Sequence, residues 1–164
     1  MALHIDFDGK NHNEDVPSKE EIKIDEEYFS VPYNLGDFLY KDIYINGKHI
    51  NNWNLINPFV VIGDEIFVPM SPSVLDALGL LVEFDDAKHY VLFSTKEPSL
   101  SSINEGACAC NLQFLEVYWG HKYYFNDTLE TELFAATTKD KYSDGNRMLY
   151  VSLKGLEKYS GLAL

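Results

Sequence analysis

The chain predicts an α+β fold, an antiparallel sheet built from two related β-hairpin–helix units, each wrapped on a short helix. Three observations carry this expectation. The first is a phrase that is said twice, in residues 43–82 (IYINGKHINNWNLINPFVVIGDEIFVPMSPSVLDALGLLV) and again in residues 115–164. Each copy opens on an apolar strand and a glycine turn. Each passes a second turn (Gly63-Asp64, Asp144-Gly145) into a strand ending in valine (Ile66-Phe67-Val68, Leu149-Tyr150-Val151). Each closes on a short helical run stopped at Gly79 or Gly161. Internal repetition of this kind marks a supersecondary unit. The second observation is the aromatic content, 14% with 11 Tyr and 10 Phe, which suits pleated surfaces better than helix bundles. The third is size: 164 residues, 46% of them hydrophobic, are enough for one core.

Residues 1–38 read as an acidic leader, partly flexible, because they hold ten acids against three lysines. Ser18 and Glu21 have capping-box spacing, so a short helix near 18–28 is expected. The first hairpin–helix–hairpin unit is placed at 39–96. Lys41 to Ile45 alternates as a strand does. Asn46-Gly47 is a strong hairpin signal, since both central residues of a type I′ turn need positive φ. The return strand falls near His49–Asn51. Pro58 to Ile62 is a continuous apolar run, Gly63-Asp64 fits a type II′ turn, and Glu65–Pro69 completes a second hairpin. Ser71 or Ser73 caps a helix with Pro72 in its first turn. Val74, Leu75 and Leu78 line one face of that helix, and Gly79 ends it. Leu80–Phe84 and His89–Ser94 form a last hairpin.

Residues 97–111 read as a linker, and 112–164 as a second, incomplete unit. That unit has strands at Leu112–Trp119 and Lys122–Phe125 about a Gly120-His121 turn. A polar insertion at 126–146 follows, then a strand at Arg147–Leu153 and a helix at Leu156–Tyr159. Residues 39–164 are expected to form one domain. The first unit's closing hairpin has no counterpart after the second helix. An open sheet edge there invites a dimer by strand exchange.

The formal net charge of −13 argues against nucleic acid, which needs a basic surface. No apolar run is long enough to cross a membrane as a helix. The start lacks the basic-then-apolar layout of a signal peptide. An extracellular or cell-surface protein whose signal has been removed is expected, with a cytoplasmic protein as the alternative.

The repeated pattern resembles the copper amine oxidase N-terminal-like, or stalk, domain family. The matching residues are Ile45-Asn46-Gly47-Lys48, Pro58, Ile66-Phe67-Val68-Pro69, Ala77-Leu78-Gly79, Val82-Glu83-Phe84 and Val91. The second copy matches through Leu149-Tyr150-Val151-Ser152-Leu153 and Ser160-Gly161-Leu162. It covers roughly residues 40–164. Two departures mark a divergent member: Met70-Ser71 stand where the family has Leu-Arg, and Ser152 stands for the second proline. The resemblance implies an appendage without copper or quinone. It also implies a bacterial secreted or cell-surface setting.

Motifs for chemistry are not found. Amine oxidation would need an Asn-Tyr-Asp/Glu site and a His-x-His pair; the histidines at 4, 12, 49, 89 and 121 are scattered. There is no Gly-x-Ser-x-Gly and no P-loop. Cys108-Ala109-Cys110 lacks further nearby ligands for a soft metal. A partial calcium-loop pattern from His4 to Asp15 has histidine at its first position. No catalytic, cofactor or metal residues are therefore assigned. The candidates are aromatic contacts, Trp53, Tyr118, Trp119, Tyr123 and Tyr124, since Trp and Tyr anchor sugars and protein partners. Of these, Trp119 and Tyr123 are expected in the core, because strand aromatics alternate inward. The expectation is a non-catalytic binding or spacer module whose partner is a protein or a cell-wall glycan. The alternative is a small acidic immunity-type protein or inhibitor that masks a basic partner.

Overall fold

A computed structural model describes residues 2–10, 34–35, 37–55, 57–85, 87–88, 90–101, 114–117, 122–130, 135–138 and 149–159. In chain order the described strands are β1 (Leu3–Ile5), β2 (Asn34–Leu35), β3 (Asp37–Phe38), β4 (Ile43–Ile45), β5 (Lys48–Ile50), β6 (Val60–Ile62), β7 (Glu65–Pro69), β8 (Leu80–Asp85) and β9 (Tyr90–Thr95). They continue with β10 (Phe114–Val117), β11 (Lys122–Phe125), β12 (Thr128–Glu130), β13 (Ala135–Thr138) and β14 (Leu149–Ser152). The helices are α1 (Pro72–Leu78) and α2 (Leu153–Glu157), with a 3-10 turn at Asn52–Asn54. The class is mixed α+β, mostly sheet with few helices.

Among the described residues three sheets form, with strand orders β2-β10-β13-β14-β7-β6-β3, β1-β4-β5 and β12-β11-β9-β8. Most pairings are antiparallel; β1 with β4 and β11 with β9 are parallel. The turn chemistry is as the residues dictate. Asn46 (φ 48°) and Gly47 (φ 82°) both take positive φ between β4 and β5, while between β6 and β7 only Gly63 (φ 61°) does. α1 starts at Pro72 and stops at Gly79, whose φ of 78° is left-handed and whose N–H bonds back to the Leu75 and Asp76 carbonyls. Alternate residues of the strands turn inward. Ile43, Ile45, Ile50, Phe59, Val68, Val74, Leu78, Leu80, Val91, Phe93, Val151 and Leu156 make a shared core between the sheets and the helices.

Several expectations are corrected. The acidic leader does not stand apart at its start. Leu3, Ile5 and Phe7 are buried in the core, and β1 pairs with β4 in register Leu3↔Ile43. The reason is local: Leu3-His4-Ile5-Asp6-Phe7 alternates apolar and polar residues with the period of a strand. The expected hairpin between 112–119 and 122–125 does not form. β10 pairs with β2 and β13, and β11 pairs with β12 and β9. The described residues of the insertion at 126–146 include strands β12 and β13; Asn126 (φ 45°) and Asp127 (φ 66°) make a second tight turn of the Asn46-Gly47 kind, which folds β12 back on β11. The helix expected at Leu156–Tyr159 begins earlier, at Leu153. The 97–111 linker is anchored at its start, where Ser99 N–H donates to Asp76 O at 2.7 Å. The helix near 18–28, the thiols Cys108 and Cys110, and Gly161 lie outside the described residues.

Candidate functional site

The site begins at the junction of β3 and the 3-10 turn that follows β5. β3 lies on β6 in register Phe38↔Val60, and Leu39 N–H donates to Phe59 O at 3.2 Å. These bonds fix the 37–40 segment. Asn51 then accepts from Trp53 N–H at 3.1 Å through its side chain, closing the turn. Between the two segments sits Asn52, only 5% exposed. Its amide donates to Leu39 O at 3.2 Å and Phe59 O at 3.0 Å. Its Oδ1 accepts from Phe59 N–H at 2.7 Å. One buried side chain thus ties three stretches of backbone together.

On that frame Trp53 stacks on Phe38, with centroids 4.0 Å apart and planes 28° from parallel. Phe38 is buried beneath it, while Trp53 is 55% and Tyr40 79% exposed. Tyr40 meets Trp53 edge-on at 5.9 Å and Phe38 at 5.0 Å. Offset and edge-to-face contacts in this range stabilise aromatic groups beyond the area they bury, so the indole is held in place before any ligand arrives. A shallow cavity of about 90 Å³ adjoins the rings, lined also by Lys41, Asp42, His49 and Asn51. The His49 Nε2 and Asp42 Oδ1 are 3.4 Å apart and exposed. That volume is well below the roughly 300 Å³ needed to enclose a drug-sized ligand. What this place can do is stack a flat or ring-shaped group against Trp53 and offer polar partners at its edge.

The other sequence candidates fall differently. Tyr123 is not a surface contact and takes the buried place favoured for it: it is 6% exposed, and burial pushes its phenol well above the ordinary range. Its place is the core, facing Phe93. Tyr124 is half-buried on β11 and lies 4.9 Å from Tyr90. Its phenol is raised by desolvation and then by its hydrogen bond and proximity to Tyr90. It lies on β11, whereas Trp53 lies in the 3-10 turn, and no described contact joins them. Tyr118 and Trp119 lie outside the described residues. Sequence reasoning missed Tyr40 and Phe38. The signal was the spacing Phe38-x-Tyr40, which puts both rings on one side of an extended segment.

A second polar cluster is buried. Glu130, 3% exposed, accepts from Lys158 Nζ and from the Tyr159 hydroxyl. Tyr159 stacks on Phe125 at 3.9 Å. Burial lowers the Lys158 ammonium and raises the Tyr159 phenol. Every member is engaged by another, so the cluster braces β12 against the end of α2. Among the described residues no three His, Cys, Asp or Glu side chains converge as a metal centre requires. No described helix is long and apolar enough to cross a membrane. No protein-family model, curated protein or solved structure matches the chain.

Proposed function

We propose that this chain is a non-catalytic binding module of the stalk-domain type. It is made of two related hairpin–helix units and forms part of a bacterial secreted or cell-surface protein. Its contact surface is the Trp53–Tyr40 platform, and its ligand is a neutral glycan. The observation that carries this reading is the exposed indole stacked on buried Phe38, with polar side chains at its rim. Sugar rings present an apolar face to stack and hydroxyls to bond, which matches that arrangement. A net charge of −13 disfavours an anionic polymer.

The test is a pull-down on insoluble cell-wall glycan, with fluorescence titration by soluble oligosaccharides. Binding that survives high salt and is lost in Trp53→Ala and Tyr40→Ala, both folded, supports the proposal. Equal binding by wild type and Trp53→Ala refutes it.

A second reading has one observation of its own. The head of the chain packs on the domain through Leu3, Ile5 and Phe7. This suits an acidic protein that presents a fixed face to a basic partner. Capture of a single basic protein, released by salt and indifferent to Trp53→Ala, would favour it.

A further inference from the structure

β1 and β9 make the same set of contacts from opposite parts of the chain. β1 runs parallel to β4, the first strand of the Asn46-Gly47 hairpin. β9 runs parallel to β11, the first strand of the Asn126-Asp127 hairpin. Asn46 N–H donates to Ile5 O at 2.9 Å, and Asn126 N–H donates to Phe93 O at 2.9 Å. Three residues beyond each of those carbonyls the chain bonds again, at the end of a helix. Asp8 N–H donates to Tyr159 O at 3.2 Å after α2, and Lys96 N–H donates to Gly79 O at 2.9 Å after α1. The strands β7 and β14, each of which leads into one of those helices, lie side by side in register Val68↔Val151. These pairings describe an approximate two-fold arrangement in which Ile5 corresponds to Phe93.

The correspondence breaks in one respect. β9 is joined to α1 through its own hairpin partner β8. β1 is not continuous with α2; it reaches the end of that helix from the other end of the sequence. It seats Leu3, Ile5 and Phe7 in the core and stands at the edge of its sheet. Twenty-three residues, 11–33, separate the described head from Asn34. A chain of that length spans at most roughly 75 Å, several times the roughly 15 Å radius of gyration of a domain of this size.

We propose that the groove beside β4 is a strand-acceptor site, and that β1 of a second copy of this chain seats in it. The exchange is reciprocal: each copy receives the other's Leu3, Ile5 and Phe7 in the place its own would fill. Every contact of β1 is reproduced between chains, and the two-fold closure leaves no open end for further addition.

His4 and Tyr44 report on this. They are register partners, and their rings stack at 4.8 Å on the outer side of the sheet. In full-length protein carrying Cys108→Ser and Cys110→Ser, H4C and Y44C are made separately and on one chain. The separate variants are mixed, equilibrated at high concentration in mild denaturant, returned to buffer and treated with a short bis-maleimide. A covalent dimer that forms in the mixture and in neither variant alone, with a yield rising with protein concentration, is the expected result. A mixture that stays monomeric while the double variant links within one chain overturns the proposal. Failure of the double variant to link overturns it as well, because β1 would then not lie beside β4.

Discussion

Replacing Asn52 by alanine tests whether the platform is built as described. The side chain makes three bonds to backbone, two to Phe59 and one to Leu39. The substitution does not leave all three partners stranded. Phe59 O keeps the Leu39 N–H it also accepts. Phe59 N–H and Leu39 O lose the partner that Asn52 supplied. A buried group left unpaired costs about 1–3 kcal/mol, so two give about 2–6 kcal/mol, with about 3 as the working figure. A chain of this length shifts its melting temperature by about 2–4 °C per kcal/mol, so Tm falls by roughly 6–12 °C. Urea unfolding followed by far-ultraviolet circular dichroism gives the free energy. Asn52→Asp is a sharper variant. It keeps an acceptor for Phe59 N–H but turns a carboxylate toward two carbonyls, so it should cost at least as much as alanine at neutral pH. The control is Asn54→Ala, two residues on and only partly buried. If Asn52→Ala and Asn54→Ala differ by less than about 0.5 kcal/mol, the size of an ordinary surface effect, the brace is not there.

Other perturbations separate causes in the same way. Gly79→Ala places a methyl 2.7 Å from the Lys96 carbonyl at a φ of 78°, whereas Gly47→Ala meets the same kind of backbone strain with open space around it. Gly47→Ala should cost about 1–2 kcal/mol and Gly79→Ala clearly more, as chemical denaturation will show; equal costs would mean the backbone gives way. Burial raises the phenols of Tyr123, Tyr150 and Tyr159 above their unfolded value of 10.0. Their contribution is complete below pH 10 and is lost as pH climbs past it, since only unfolding releases those protons readily. The lowered Lys158 ammonium acts with the opposite sign, but it is one group against three. Stability should therefore fall steeply above pH 10, and absorbance at alkaline pH should show these tyrosines ionising together with unfolding. Ser152 is buried and its hydroxyl has no partner among the described residues. Ser152→Ala should be neutral or stabilising by thermal melt, and a clear loss would point to a bond not seen.

Much of residues 39–96 was readable because local chemistry and tertiary packing agree there. Asn46-Gly47, Gly63, Pro72 and Gly79 each have one comfortable backbone geometry, and the strands between them alternate accordingly. The head was misread because charge density outweighed pattern: Asp6 and Asp8 hid the alternation of Leu3, Ile5 and Phe7. Residues 112–164 were misread for a different reason. Asn126-Asp127 makes the same turn as Asn46-Gly47 without glycine, relying on the tolerance of Asn and Asp for left-handed backbone. Partner choice was beyond local reading altogether. Nothing within Lys122–Phe125 says that it will lie parallel to β9, thirty-two residues earlier, since that is decided by how the hairpins share a core. At the site, Trp53 was legible as an unusual residue between asparagines. Its fixed geometry comes from Phe38 and Asn52, which only folding brings beneath it.

Exposure alone does not make a binding surface, and this molecule permits that claim to be tested within itself. Four large hydrophobic side chains are exposed among the described residues: Tyr40, Trp53, Leu81 and Phe84. Leu81 and Phe84 lie on β8, at the edge of its sheet, beside exposed Glu83, the kind of charge that discourages edge pairing. Phe84 is 56% exposed, close to the 55% of Trp53, yet no described aromatic ring stacks on it. Trp53 by contrast is pinned by Phe38 and Tyr40, and holding a ring still before binding lowers the ordering cost of recognition. Equal exposure with unequal support predicts unequal consequences. Trp53→Ser should reduce glycan capture at least tenfold while the protein stays folded, and Phe84→Ser should leave capture as it was. Loss of capture in both variants would mean that bare apolar area, rather than a pre-set ring, is what holds the ligand.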